Sequence, residues 1–229
     1  MCGRFALLTL RDFLRVFNWI RWPVTLPFAR FNIAPSQQIG VVANDPVPRF
    51  DLSRWGFVPS WAASFDDHPS LYARIETVAD KPYFRTAFRR RRCIIPASGF
   101  FEWRKNDDGS KTPMFIRRKD ECGFAMAGVW DEWHSSDGSS MRSCALLMRP
   151  PNELIAPIHD RMAIVLRDEH VKAWLSSDEQ SPDELMPLLE QAPVELFEAF
   201  AVSKLVNSPK NDTPECIKPV EDFDRGLFG

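Results

Sequence analysis

Position 2 carries a cysteine directly behind Met1. A side chain this small permits removal of the methionine by the usual processing. What remains is a 1,2-aminothiol, an α-amine of pKa about 7.7–8.0 beside a thiol of pKa about 8.5. Such a pair is suited to aldehydes: the amine condenses to an imine, and the thiol adds to it and closes a five-membered thiazolidine. Alternatively Cys2 is a thiol nucleophile with the amine as its base, as in N-terminal nucleophile hydrolases. By position alone an incidental cysteine is the simpler reading, so the weight falls on the rest of the chain.

Ile158-His159-Asp160-Arg161-Met162 places a base, an acid and a guanidinium on consecutive residues at an element boundary. A His followed by Asp is often only a capped turn. In Pro96-Ala97-Ser98-Gly99-Phe100-Phe101-Glu102-Trp103 a carboxylate stands between aromatics. Desolvation there would raise its pKa, as a general acid/base requires; the alternative is a strand Glu that faces water. Arginine is concentrated in the first half, at Arg4, Arg30, Arg54, Arg74, Arg85 and the run Arg89–Arg92. The run predicts a positive field suited to phosphates, or else a solvated edge. Trp55 and Trp61 flank a loop-like stretch and could offer faces to bases. Cys93, Cys122, Cys144 and Cys216 have no metal-ligand spacing, so neither a metal nor another cofactor is expected.

The elements that must position these groups sit in a chain of 229 residues, 45% hydrophobic and 26% charged, with net charge −2. That supplies a full core and excludes disorder, collagen-like repeats and disulfide scaffolds. No apolar run reaches the roughly 18 residues of a membrane span, and no secretory signal is evident. A reducing cytoplasmic setting is expected, in which five cysteines need no pairing. The charge excludes a globally basic nucleic-acid coat but leaves room for a local basic cleft.

Without repeats or low-complexity linkers, residues 1–229 read as one domain. Thr9-Leu10-Arg11-Asp12 fits a capping-box variant ahead of Phe13, Leu14, Phe17 and Ile20 at helical spacing. Ser181-Pro182-Asp183-Glu184 caps a second helix carrying Leu185, Leu188 and Leu189, and 168–175 reads as a short third. Strands are expected at 92–95, 100–103, 114–116, 125–133, 141–148, 162–166 and 194–202, with turns at Asp108-Gly109 and Asp137-Gly138. Strands outnumber helices without alternating with them. An α+β fold is therefore expected, a curled, barrel-like and largely antiparallel sheet with helices outside.

Taken in order, six blocks resemble the SRAP family, the SOS response-associated peptidase proteins. They are Met1-Cys2-Gly3-Arg4-Phe5, Arg30-Phe31-Asn32-Ile33-Ala34-Pro35, Arg54-Trp55-Gly56, Ala73-Arg74-Ile75-Glu76-Thr77, the stretch Arg92–Trp103, and Ile158–Met162. A weaker match continues to Val202-Ser203 and Val206-Asn207. The resemblance implies covalent capture of abasic sites in single-stranded DNA during the DNA-damage response. Cys2 would form a thiazolidine with the ring-opened deoxyribose. Glu102 would help open the sugar and shuttle protons, and His159 would be the acid/base partner near the sugar and its leaving phosphate, supporting crosslink reversal or a lyase-type activity. Arg4 and Arg74 would hold phosphates, with Asn32, Trp61, Arg85 and Arg149 as further DNA contacts. The implied setting is bacterial-type, cytoplasmic and nucleoid-associated, with abasic DNA as partner, no membrane and a monomeric protein.

The sequence departs from the family pattern at Tyr72, where an Asn whose amide contacts the reacting sugar is usual. Tyr72 keeps a hydroxyl donor but is bulkier and lacks the carbonyl. It either orients the sugar from another angle or fills its space. Ala163 replaces a usual Pro, and Leu147–Pro150 lacks the usual threonines, with Arg149 as a compensating charge. Three functions thus compete: abasic-site crosslinking through Cys2, a thiol (auto)peptidase of Cys2, His159 and Glu102, and a DNA-binding module that forms no crosslink.

Overall fold

The computed structural model describes residues 3–23, 28–66 and 68–220. Strand β1 (Arg4–Leu7) leads into helix α1 (Arg11–Val16), and Leu10, Phe13, Phe17 and Ile20 are buried as their spacing requires. The expected capping box does not form. Thr9 Oγ1 accepts the Arg11 N–H at 3.1 Å, Leu10 occupies the N-cap, and the Asp12 carboxylate instead accepts the Gly123 N–H at 3.4 Å. Four strands then follow that the sequence reading missed: β2 (Arg30–Ile33), β3 (Gln38–Ala43), β4 (Arg49–Trp55) and β5 (Tyr72–Arg74).

Beyond α2 (Arg85–Arg90) the pattern follows expectation more closely. Strands β6 (Arg92–Ala97), β7 (Gly99–Lys105), β8 (Lys111–Arg118), β9 (Phe124–His134) and β10 (Ser140–Arg149) run almost without interruption. The β7–β8 and β9–β10 turns place Gly109 at φ 81° and Gly138 at φ 86°, conformations a Cβ would strain. A two-residue β11 (Met162–Ala163) precedes α3 (Asp168–Trp174) and α4 (Pro182–Leu185). At α4 the capping box does form, Ser181 N–H donating to Glu184 Oε2 at 2.8 Å and Glu184 N–H to Ser181 Oγ at 3.4 Å. Strand β12 (Phe197–Ala201) is the last.

Two sheets result. In one, β4, β3, β6, β9 and β10 each pair with the next, and β10 returns to β4, closing a five-membered ring. Most of these pairings are antiparallel, but β10 runs parallel to β4 and then to β5. Ser143 and Leu146 of β10 each pair on both sides, so β4 and then β5 occupy one edge while β9 and then β11 occupy the other. The second sheet is the antiparallel array β12-β8-β7-β1-β2. The barrel-like α+β fold expected from the sequence is thus the one observed, with a parallel element that the pattern did not announce.

The main core fills the ring and the space under the second sheet's inner face, with Phe5, Trp55, Phe88, Phe100, Phe124 and Trp174 fully or almost fully buried. Burying each such side chain contributes about 1.5–3 kcal/mol. A smaller core, containing Ala6, Phe101, Phe115, Val202, Val206 and Cys216, lies between that sheet's outer face and the segment after β12. Among the described residues no helix is long and apolar enough to cross a membrane.

Candidate active site

Glu102 sits in the middle of β7, and the pairing on either side fixes its surroundings. Arg4 of β1 lies opposite Phe101 and Phe5 opposite Phe100, while Met114 of β8 lies opposite Glu102. Side chains alternate between faces along a strand. Phe100, Glu102 and Arg104 therefore share the inner face with Phe5 and Met114, and Phe101 and Trp103 share the outer face with Arg4. One further step of the register sets Gly3 beside Glu102. Cys2, next to Gly3 in the chain, lies outside the described residues.

On the inner face the Glu102 side chain is fully buried. Desolvation pushes its carboxyl up to about 7, and the nearby Asp160 carboxylate adds to the rise. The sequence left a water-facing strand Glu as the alternative; the structure buries it.

His159 is carried by a helical turn after β10. Asn152 Oδ1 accepts the Ile155 N–H at 3.1 Å, Ile155 O accepts the His159 N–H at 2.9 Å, and Ile155 and Ile158 anchor the turn in the core. The imidazole Nε2 lies 4.0 Å from Glu102 Oε2. Two groups approach Nδ1: the Arg161 N–H at 3.1 Å and Asp160 Oδ1 at 2.8 Å. The Asp160 carboxylate is 86% exposed and screened by solvent, so the part-buried backbone bond is taken to set the tautomer. With Nδ1 as acceptor, the neutral ring carries its proton on Nε2, toward Glu102. Burial, helped by the Lys111 charge, holds the imidazole below its ordinary pKa.

A clip ties this turn to β5. The Arg161 guanidinium hydrogen-bonds to Glu76, two residues beyond Arg74. Burial pushes the Glu76 carboxyl up, but that hydrogen bond and the Arg161 and Arg74 charges outweigh it and hold the group below its ordinary value. Tyr72 and Arg74 share one face of β5. The Tyr72 ring stands edge-on to Trp55 at 6.3 Å, and Trp55 edge-on to Phe5 at 5.5 Å, so an aromatic chain links β5 to β1. Glu102, His159, Tyr72 and Arg74 are thus on elements locked to one another. The sequence blocks contained Glu76 and Arg161 but gave no sign that they pair.

The other expected contacts are dispersed. Arg4 lies on the sheet face opposite Glu102 and donates to Asn32 Oδ1 at 2.9 Å and to the carbonyls of Val206 and Asn207. Asn32 is fully buried, and its amide donates to the carbonyls of Val206, Ser208 and Asn211. Both fasten the segment after β12 to β1 and β2, which leaves Asn32 no surface to offer a strand of DNA. Trp61 is 65% exposed, edge-on to Tyr83 at 6.1 Å. Arg74 and Arg85 are exposed, and Arg149 is half-buried with Nη1 3.3 Å from Leu189 O. Trp55 offers no face to a base, because it is buried and its indole N–H donates to Leu71 O.

The arginine run is not the field the sequence suggested. Arg92 is fully buried, donating to the carbonyls of Trp174, Ser176, Asp178, Phe88 and Arg89, and burial holds its pKa at about 10. Arg91 pairs with Asp131 at 2.9 Å and Arg90 with Glu179 at 2.6 Å. Two of the four charges are thus paired with carboxylates and a third is buried on neutral carbonyls, which leaves Arg89, exposed, as the remaining member of the run.

Fold and site together define a class: a closed strand ring flanked by an antiparallel sheet whose inner face buries one carboxyl beside an imidazole. The family model described as SOS response associated peptidase (SRAP) matches residues 1–209, and the chain belongs to that family. It is 40% identical over 222 residues to the abasic site processing protein YoqW of Bacillus subtilis, covering 95% of this chain and 99% of that one. It is 30% identical over 228 residues to the abasic site processing protein YedK of Escherichia coli, covering 96% and 100%. A solved structure of a Bacteroides thetaiotaomicron protein shares the fold at a TM-score of 0.83 and 24% identity, covering 96% of this chain and all of that one.

Proposed function

We propose that this protein captures abasic sites in single-stranded DNA through a covalent bond to Cys2. The observation that carries the reading is the fully buried Glu102 carboxyl, poised at about 7 with the His159 Nε2 at 4.0 Å, in the row that β1 reaches at Gly3. The relatives named as abasic site processing proteins support the same substrate.

The chemistry follows from those groups. Ionised Glu102 takes the proton of the sugar's anomeric hydroxyl, and protonated Glu102 returns one to the ring oxygen as the C1′–O4′ bond breaks, giving the aldehyde. The α-amine freed by loss of Met1 adds to C1′, and a proton from Glu102 carries off the hydroxyl as water, leaving the imine. The Cys2 sulfur then bonds to C1′ and its proton passes to the nitrogen. One water is lost overall and a thiazolidine remains. An acid whose pKa lies at the operating pH serves both directions of transfer, an advantage of typically 10²–10⁴-fold. His159, neutral at pH 7, donates from Nε2 to the developing oxyanion or to the Glu102 carboxylate.

Arg74 faces the phosphates beside the lesion, Tyr72 orients the sugar with its hydroxyl, and Trp61, Arg85 and Arg149 are outlying contacts. Arg4 and Asn32 act indirectly, by fixing β1. The test is incubation with an abasic single-stranded oligonucleotide followed by a denaturing gel. A shifted band in wild type, absent with undamaged DNA and in Cys2→Ala, supports the reading. Salt-sensitive binding without any shifted band would make the protein a non-crosslinking module.

A further inference from the structure

Two residues past Glu102 on the same strand lies Arg104, to which the sequence blocks assign no role. The register pairs it with Thr112 of β8, as Glu102 is paired with Met114, so both side chains lie on the inner face of the sheet. The row beyond is polar. Asn106 Nδ2 donates to Ser110 Oγ at 2.9 Å and to Thr112 Oγ1 at 3.0 Å, which confirms that 106 and 112 share the face of 104. Glu102 and Met114 are buried, Arg104 and Thr112 are half-buried, and the hairpin tip is exposed. The inner face therefore opens toward solvent at Arg104.

Most guanidiniums on this molecule are already engaged. Arg4, Arg30, Arg54, Arg90, Arg91, Arg92, Arg117, Arg118, Arg142, Arg161 and Arg167 all have carboxylate or carbonyl partners. Among the described residues the Arg104 guanidinium has no hydrogen-bond or ion-pair partner, and neither does that of Arg74. A half-buried, unpartnered guanidinium costs desolvation that an oxyanion would offset with charge-assisted hydrogen bonds. Arg74 lies on the β5 side of the Glu102–His159 pair, joined to it by the Glu76–Arg161 clip, and Arg104 lies further along β7.

We infer that Arg104 is a phosphate-binding residue, holding one phosphodiester on the side of the lesion away from Arg74. The two guanidiniums bracket the reacting sugar and set the path of the strand across Glu102. This rests on the abasic-site reading above and adds a specific residue and a polarity to it.

The test uses the full chain and a single-stranded oligonucleotide bearing a stable tetrahydrofuran abasic analogue, which binds but lacks the reactive hydroxyl. Affinity is measured by fluorescence anisotropy across a salt series. Arg104→Gln is expected to lower affinity and to make the salt slope shallower by about 0.7, so that its deficit is roughly 2.6-fold larger at 50 mM than at 200 mM salt. Arg104→Lys should recover most of the slope, and Lys105→Gln, on the opposite face, should leave it unchanged. A scan with single neutral methylphosphonate linkages gives the decisive arm. One linkage on one side of the lesion should weaken wild type to the level of Arg104→Gln while leaving that variant no weaker, and Arg74→Gln should respond to a linkage on the other side. Equal affinity and slope for wild type and Arg104→Gln would overturn the inference and leave the abasic-site reading intact. A wild type that does not bind the oligonucleotide at all would overturn both.

Discussion

Nε2 of His159 stands 4.0 Å from Oε2 of Glu102, although the two residues are 57 positions apart and sit on separate elements, a β-strand and a loop turn. The carboxyl is held at about 7 by burial, and the imidazole is held below its ordinary value by the same cause. At neutral pH the pair is thus an acid close to half-ionised beside an uncharged ring. Proton transfer to and from a sugar needs little else.

The raised Glu102 pKa has a stability consequence with a definite sign. The folded state binds the proton more tightly than the unfolded chain, so stability falls as pH rises from 4.5 to about 7 and is level above that. The rise corresponds to about 3 kcal/mol. Glu102→Gln, which cannot ionise, should lose this slope and gain stability over wild type at pH 8 but not at pH 4. Urea melts at both pH values check it; a wild-type slope retained in the variant would assign the titration elsewhere.

Crosslinking should pay for that gain. Glu102→Gln should form adduct about 10²–10⁴-fold more slowly, and the wild-type rate should decline above pH 7 as the acid form is lost. A variant as fast as wild type would remove Glu102 from the chemistry.

The Glu76–Arg161 clip is half-exposed, so its loss should cost less than about 1 kcal/mol of stability. Glu76→Gln should nevertheless slow adduct formation, because the turn carrying His159 is no longer held to β5. Paired measurement of melting and rate separates the two, and an unchanged rate would show that Ile155 and Ile158 suffice.

At Tyr72 the ring stands edge-on to buried Trp55, and on the proposed reading its hydroxyl orients the sugar. Tyr72→Phe should keep the packing and slow crosslinking, and Tyr72→Asn should slow it too while losing about 0.5–1.5 kcal/mol of ring contact. A large gain in Tyr72→Asn would mean that the ring fills the sugar's space.

Arg92→Leu should destabilise the fold, since the buried Trp174 carbonyl loses a donor worth about 1–3 kcal/mol and the part-buried bonds to Ser176 and Asp178 go with it. DNA affinity of the folded fraction should not change. A loss of affinity without a loss of stability would restore the arginine run as a phosphate site.

The second half of the fold was legible because Asp-Gly turns mark its hairpins, β9 carries Phe, Val and Trp, and β10 is a long, largely apolar run. Strands β2 to β5 were not, because three of them have six residues or fewer, and Tyr72–Arg74 forms a strand only through its pairing with β10. For the site, Glu102 and His159 were nameable from residue type and order, yet the burial that tunes Glu102 comes from strands β1 and β8 on either side. Arg92 misled because a sequence shows a guanidinium's charge but not the carbonyls that long-range folding brings to it, and carbonyls of the segment after β12 engage Arg4 in the same way. Arg104 could have been found from the period of two along β7.

The central claim is best tested by intact mass of the purified protein mixed with an abasic single-stranded oligonucleotide. The account predicts a species equal to the chain without Met1 plus the oligonucleotide less one water, absent in Cys2→Ala. Free Cys2 protein coexisting with unreacted abasic oligonucleotide, or an adduct that survives Cys2→Ala, would contradict it.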